Sequence, residues 1–368
     1  FAIGKDINVK GIYNRQKITS SNHLETMELV DDLDLIPFPD WELVDMDFYV
    51  NVSKRKNNML GAKEKKHATL MTTRGCPFHC TFRSTHTVHG RAMRYRSPEN
   101  VVREVELLHK NYGVSLFIPE DDLFTAHRKN CIGVLTALQE ANIPGFELQF
   151  PNALSINTLH DDVMDALIGA GMQLTALAIE SGSDYVQREI IKKRCNLQKA
   201  KHVVKYFKEK GVVVRCYYVL GFPEETKELM QESVNYAKEL HADWSVFAIA
   251  TPLTGSEMYE QYVERCEIDD DLSYWSEAYY DHRTFDTKEI TANEMNEFAY
   301  RANLEVNFVN NTNLVNGNYE KAIEIFQSIL DIYPFHIICL SCIIRGYEGL
   351  GDFAKVRTLK EKLHYLVR

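Results

Sequence analysis

From His67 onward, short apolar or alternating runs take turns with longer runs in which apolar residues recur at helical spacing. Residues 67–72 read as a strand. Ser97-Pro98-Glu99 then predicts a helix start: a cap hydroxyl, a proline whose missing N–H is not needed in the first turn, and early acidic charge. Val101, Val105 and Leu108 mark its buried stripe and Gly113 its end. Further strands are expected at 114–118, 146–150, 174–179, 212–220 and 244–250. Helices are expected between them at 128–141, 158–168, 197–210 and 226–240. The helix at 197–210 places Ala200, Val203, Val204 and Phe207 on one face and lysines on the other, and Gly211 stops it. Six strands alternating with helices predict an α/β fold with a parallel sheet and right-handed crossovers. Its ligand site should lie at the carboxyl ends of the strands.

The flanks keep a different rhythm. Residues 1–66 are polar and irregular, with Asp31, Asp32 and Asp34 leading into Ile36-Pro37-Phe38-Pro39-Asp40-Trp41, where two prolines remove backbone donors and exclude a regular helix. The opening at Phe1, mid-pattern, reads as the remnant of a longer protein. Beyond about residue 266 the β/α alternation stops. Asn316-Gly317-Asn318-Tyr319 is echoed by Gly351-Asp352-Phe353 at a spacing of 34 residues, with Ala322, Ile325, Phe326 and Ile329 on one intervening helix and Pro334 before a second. That is one tetratricopeptide-like repeat and the start of another. A lone repeat cannot bury its apolar face, so it should pack on the preceding domain. A protein-binding platform is the less favoured use, because about three stacked repeats are needed. The expected division is a lead-in at 1–66, a partial barrel at 67–265, a helical extension at 266–312 and tetratricopeptide-like helices at 313–368.

Composition narrows the functions. Apolar content of 45% and charged content of 26% are those of a folded globular protein rather than a disordered one. The formal charge of −10, with no basic block interleaved with aromatics, argues against nucleic acid and for a small-molecule or protein substrate. No run approaches the roughly 18 to 20 apolar residues of a membrane span, and no signal pattern opens the chain, so a cytoplasmic location is the default. Eight cysteines are too sparse for a disulfide scaffold. Cys131, Cys195, Cys216, Cys266, Cys339 and Cys342 fall in or beside strand and helix patterns and read as buried thiols.

Cys76 and Cys80 differ. They lie in a stretch of more than twenty residues between the first strand and Ser97, beginning Thr73-Arg74-Gly75-Cys76-Pro77-Phe78-His79-Cys80-Thr81-Phe82-Arg83. Loops of that length inside a compact domain are usually functional. The stretch resembles the cluster loop, CxxxCxxC, of radical S-adenosylmethionine enzymes, in particular the class often carrying a cobalamin-binding domain ahead of the barrel. The likeness runs on, in order, through Arg94-Tyr95-Arg96-Ser97-Pro98-Glu99, Pro119-Glu120-Asp121-Asp122, Pro151-Asn152-Ala153-Leu154, Ile179-Glu180-Ser181-Gly182-Ser183, Leu220-Gly221-Phe222-Pro223-Glu224-Glu225-Thr226 and Thr251-Pro252-Leu253-Thr254-Gly255. It covers about residues 30 to 260.

The resemblance implies a six-unit partial (β/α) barrel that holds a [4Fe-4S] cluster on cysteine thiolates and S-adenosylmethionine on the fourth iron, for radical hydrogen abstraction or methyl transfer on a small molecule. By motif position Cys76 and Cys80 are cluster ligands, and Glu120 and Asp121 accept from the cofactor's ammonium. Glu180 and Ser181 reach its ribose or carboxylate, and Gly221 and Phe222 lie along its adenine. Cobalamin would enter only through a missing N-terminal domain, since no D-x-H-x-x-G pattern occurs here. Arg83 stands where the third cysteine is expected, Ser155 where many relatives have Arg, and Ala153 where the family has Gly.

Arg83 leaves three readings open. A substitute ligand such as His79, His86 or a nearby cysteine completes the cluster site; or a cluster-free protein binds S-adenosylmethionine while Arg83 pairs with a carboxylate; or Cys76, Cys80, His86 and His89 bind zinc, at a spacing shorter than that of zinc fingers. The Arg83 charge is expected to lower the pKa of both thiols. Tyr274, Trp275, Tyr279 and Tyr280 are expected to pack between the barrel and the C-terminal helices.

Overall fold

The computed structural model describes residues 28–51, 65–270 and 279–367. β1 (His67–Leu70) is followed by a short antiparallel pair, β2 (Thr73–Arg74) and β3 (Arg94–Tyr95). Then come β4 (Leu116–Pro119), β5 (Glu147–Leu154), β6 (Met172–Glu180), β7 (Val213–Leu220) and β8 (Trp244–Ile249). The main sheet runs β1-β4-β5-β6-β7-β8, parallel throughout, as the strand and helix alternation predicts. β1 and β8 do not pair, so the barrel is partial.

Before the barrel lies α1 (Met46–Val50), and between β2 and β3 lies α2 (His86–His89). The crossovers are α3 (Pro98–Tyr112), α4 (Arg128–Glu140), α5 (Asp161–Gly169), α6 (Leu197–Glu209) and α7 (Lys227–Leu240). The cap residues act as read: the Ser97 hydroxyl accepts from the Asn100 amide, and Gly113, in the left-handed region, lets its own amide return to the last turn. On α6 the buried residues are Ala200, Val203, Val204 and Phe207, those of the apolar stripe. Buried side chains of these helices and of the outward faces of the strands form one continuous core. Central β6 is buried from Leu174 to Glu180, whereas β7 alternates, with Val214, Cys216, Tyr218 and Leu220 buried.

The lead-in is more regular than its prolines suggest. It forms single 3₁₀ turns at Leu33–Leu35 and Trp41–Leu43 and then α1, each started by an aspartate whose carboxylate accepts a backbone amide: Asp32, Asp40 and Asp45. It is tied to the barrel where Asp34 accepts from the Ser97 amide at 2.9 Å and Phe38 lies 5.4 Å from the Arg96 guanidinium. The long stretch after β1 is likewise not all loop, since β2, β3 and α2 lie within it.

After the barrel follow α8 (Glu257–Glu264), α9 (Ala292–Leu304), α10 (Thr312–Val315), α11 (Tyr319–Leu330), α12 (Ile337–Leu350) and α13 (Phe353–Val367). Ala322, Ile325, Phe326 and Ile329 are buried, in a cluster that also takes in Trp244 of β8. Asp243, fully buried, accepts from the Val214 amide at 3.0 Å and the Asn313 side chain at 3.2 Å, with Lys321 at 2.8 Å. This polar seam fixes the C-terminal helices to the barrel. The expected aromatic packing is corrected: Tyr279 and Tyr280 are 52% and 62% exposed, while Tyr274 and Trp275 lie outside the described residues. The edge-on pairs that do pack here are Trp244 with Phe308 and Tyr262 with Phe285, each within a buried apolar cluster. Among the described residues no helix is long and apolar enough to cross a membrane.

Candidate functional site

The cysteine loop leaves β2 over the carboxyl ends of the strands. Gly75 takes a φ of +100°, and a Cβ there would lie 2.3 Å from the Ala92 carbonyl, so only glycine admits this close crossing of the two ends of the loop. The Cys76 amide then donates to the Gly90 carbonyl at 3.2 Å. Cys76 is buried and Cys80 half-buried. Burial pushes the Cys80 thiol up, the cations Lys193 and Arg83 pull it down, and Glu180 and Cys76 add to the rise. Those influences bring Cys76, Cys80, Arg83, Glu180 and Lys193 into one neighbourhood. They also correct the expected thiol acidification: at Cys80, desolvation outweighs the Arg83 charge.

Glu180 ends β6 at a register shift and takes a φ of +68°, a left-handed turn that costs a glutamate about 1 kcal/mol or more. Its carboxylate lies 2.9 Å from the Lys193 ammonium, itself buried and donating to the Ala178 carbonyl at 2.6 Å. The Arg83 guanidinium is 3.7 Å from the same oxygen, beyond hydrogen-bond distance. Nothing in the spacing marks Lys193, because it sits in the run Lys192-Lys193-Arg194, whose outer members are exposed.

The other strand-end side chains differ in how fully they are engaged by the fold. Glu120 follows β4, accepts from the Asn152 amide side chain, and has its pKa raised by burial. Asp121 instead turns its oxygens to the Thr72 and Thr73 amides and the Thr72 hydroxyl, anchoring the start of the cysteine loop. Burial still lifts it to about 6. The Ser181 hydroxyl lies 3.0 Å from that of Ser233 on α7 and accepts from the Ser183 amide. Ala153, in the position of a family glycine, has a φ of +71°. Ser155 is buried.

At the end of β7 the Glu225 carboxylate accepts from the Gly221 amide at 2.6 Å and the Phe222 amide at 3.1 Å. Burial pushes Glu225 up to about 8 against the pull of those amides and of Arg283. Phe222 is buried, its ring 5.6 Å from that of Phe82 in the cysteine loop. A cleft of about 230 Å³, lined by Pro37, Phe38, Met71, Arg74 and Glu120, opens beside the strand ends. The zinc reading is corrected: among the described residues no three His, Cys, Asp or Glu side chains are grouped to hold a metal ion, and His89 is taken up by Asp122 at 2.6 Å. Neither His79 nor His86 joins Cys76 and Cys80 in such a group.

Several rim groups, the Thr73 and Ser183 hydroxyls and one Glu225 oxygen, are buried with no hydrogen-bond partner among the described residues. Strand-end carboxylates, a buried ammonium and unpaired hydroxyls suit a ligand with both charge signs and several hydroxyls. S-adenosylmethionine has that chemistry, and these residues fit it. They do not fit a three-thiolate cluster site, because a guanidinium has no lone pair to give iron and two thiolates hold a cubane poorly.

Residues 70–237 match the model of the Radical SAM superfamily. The chain carries a Radical SAM domain. It is 30% identical over 260 residues to cytidylyl-2-hydroxyethylphosphonate methyltransferase of Streptomyces wedmorensis, covering 69% of this chain and 48% of the relative. It is 27% identical over 246 residues to the anaerobic magnesium-protoporphyrin IX monomethyl ester cyclase of Rubrivivax gelatinosus, covering 67% and 42%. The chain thus spans about half the length of the curated relatives it matches. The cobalamin-dependent S-adenosylmethionine radical enzyme OxsB, with aqua-cobalamin and S-adenosylmethionine bound, shares the fold at a TM-score of 0.51 and 12% identity, over 81% of this chain and 58% of that one.

Proposed function

We propose that this protein binds S-adenosylmethionine across the strand ends and is itself an enzyme that modifies a small molecule by methyl transfer or ring formation. The observation that carries this is the convergence of Glu180, Lys193, Arg83 and both loop cysteines at the carboxyl ends of a Radical SAM domain. Relatives named as a methyltransferase and a cyclase support the reaction classes. Glu120 offers an acceptor to the ligand ammonium. Lys193 and Arg83, two cations around one carboxylate, leave net positive charge for the ligand carboxylate, and Gly221 and Phe222 lie along the adenine. When bound, the ligand supplies an activated sulfonium; these residues orient it and keep water from its charged end.

A second reading is favoured by Arg83 itself. Its guanidinium stands beside Cys80 where a third thiolate would be needed, so the chain as written is a cluster-free ligand-binding protein on this scaffold. The test is iron and sulfide content with the absorption spectrum after anaerobic reconstitution, alongside calorimetric titration with S-adenosylmethionine. Substoichiometric iron in the unmodified chain, with a brown four-iron protein from Arg83→Cys, is the expected outcome. A full iron complement without the substitution would overturn the cluster-free reading. Absence of S-adenosylmethionine binding in both forms would overturn the ligand assignment.

A further inference from the structure

The turn after β7 is held from a direction the domain match does not include. Gly221 has a φ of +79°, and a Cβ there would lie 2.6 Å from the Met295 sulfur and 2.9 Å from Arg283 Nη2. The space beside the glycine is therefore filled by the helical extension and closed to a ligand on that side. Arg283 is 4% exposed, and its Nη2 donates to the Gly221 carbonyl, to the Ala250 carbonyl at 3.3 Å and to the Tyr262 hydroxyl at 3.1 Å. Tyr262 donates its own hydroxyl to the Gly221 carbonyl at 2.8 Å. The Phe222 amide, at the other end of that same peptide group, donates to Glu225. One peptide plane is thus gripped at its oxygen by a guanidinium and a phenol and at its nitrogen by a carboxylate.

Burying a guanidinium is costly unless it is paired and hydrogen-bonded. Here Nε and Nη1 find no hydrogen-bond partner among the described residues, and the compensation comes from the faces of Phe285 at 5.2 Å and Tyr262 at 5.8 Å. The residue is also locked at its backbone, since its amide donates to Asn296 Oδ1 of α9 at 2.7 Å and its carbonyl accepts from Asn296 Nδ2 at 3.0 Å. A charged group set so deep and incompletely paired serves stability poorly. What it does well is fix the orientation of the Gly221–Phe222 peptide.

We propose that Arg283 is a positioning residue for the adenosyl end of the ligand, acting through the Gly221 carbonyl, so that the segment after the matched domain belongs to the site. This rests on the placement of adenine along Gly221 and Phe222 proposed above. The experiment compares the full chain with Arg283→Lys and Arg283→Met by titration with S-adenosylmethionine, 5′-methylthioadenosine and free methionine, and by hydrogen exchange at the Gly221 and Phe222 amides. Arg283→Met should weaken both adenosyl ligands by about tenfold or more, the worth of one hydrogen bond to a charged group. Methionine binding should not change, exchange at the two amides should quicken, and Arg283→Lys should recover part of each loss. Equal loss of all three ligands would reduce Arg283 to a structural residue and overturn the proposal, as would wild-type affinities in Arg283→Met. A wild type that binds neither adenosyl ligand overturns the ligand placement itself. In that case faster exchange in Arg283→Met still upholds the grip on the turn, and unchanged exchange refutes it.

Discussion

Two buried carboxylates show how differently the two ends of this molecule are built. Asp243, at the seam with the C-terminal helices, would be raised by burial alone, but Lys208, Lys321 and the Val214 amide together hold it below the usual carboxylate range. Beside it Asn307 accepts from the Ser245 amide at 2.7 Å and donates to the Ser245 carbonyl at 2.6 Å. Glu225, at the strand ends, is also fully buried, yet it has two amide donors for one oxygen and none for the other, and it is pushed up to about 8. The seam matches donors to acceptors, as most protein interiors do. The strand ends leave the Thr73 and Ser183 hydroxyls and parts of Glu225 and Arg283 unmatched. Unmatched polar groups destabilise the fold, and while others lie elsewhere, such as Arg215 Nε and the Tyr218 hydroxyl, those at the strand ends border the candidate site.

The sharpest way to break this contrast is Asp243→Ala. It strips Lys208, Lys321, the Val214 amide and Asn313 of their shared acceptor, and urea unfolding should show a loss of about 3 kcal/mol, the low end for a broken buried pair because both lysines reach solvent. A loss near zero would mean that the seam is solvated. Glu225→Gln should instead change the shape of the pH profile. Because burial raises Glu225 above its unfolded value, its contribution to stability is intact below about pH 4.5 and is lost as pH climbs through about 8. The melting temperature of the wild type should therefore fall relative to the Gln variant across that window. Asp243 carries the opposite sign, its contribution being lost as pH falls through its lowered pKa. A pH-independent difference for Glu225→Gln would refute the assigned burial cost. The smallest effect is expected at Tyr218, fully buried with no partner for its hydroxyl among the described residues. Tyr218→Phe should be neutral or stabilising by about 1 kcal/mol in chemical denaturation. A clear loss would reveal a partner for that hydroxyl.

The sheet and its helices were legible because each element carries its own period and its own stop, as Val101, Val105 and Leu108 before Gly113 illustrate. The C-terminal helices were legible through the echo of Gly317 at Gly351. At the site, the local motif found Cys76 and Cys80, while the residues that surround them came from elsewhere. Lys193 is indistinguishable in sequence from its exposed neighbours, and Arg283 reaches Gly221 across 62 residues through tertiary packing. Motif position located Asp121 but not the direction of its oxygens, which depends on where the chain passes after β1. The Cys80 thiol was misjudged for a related reason: charge can be read from a sequence, whereas depth of burial around one sulfur cannot.

The open sheet gives the C-terminal helices a second consequence. Among the described residues β8 has no strand on its outer side, and a free edge is a template for pairing with another chain. Asn307 occupies the amide and carbonyl of Ser245, and the Tyr280 carbonyl takes the Ile249 amide at 2.8 Å. Both contacts imitate a neighbouring strand. Loosening the helices would therefore do more than lower stability: it would uncover an adhesive strand, and the damaged protein would aggregate before it unfolded completely.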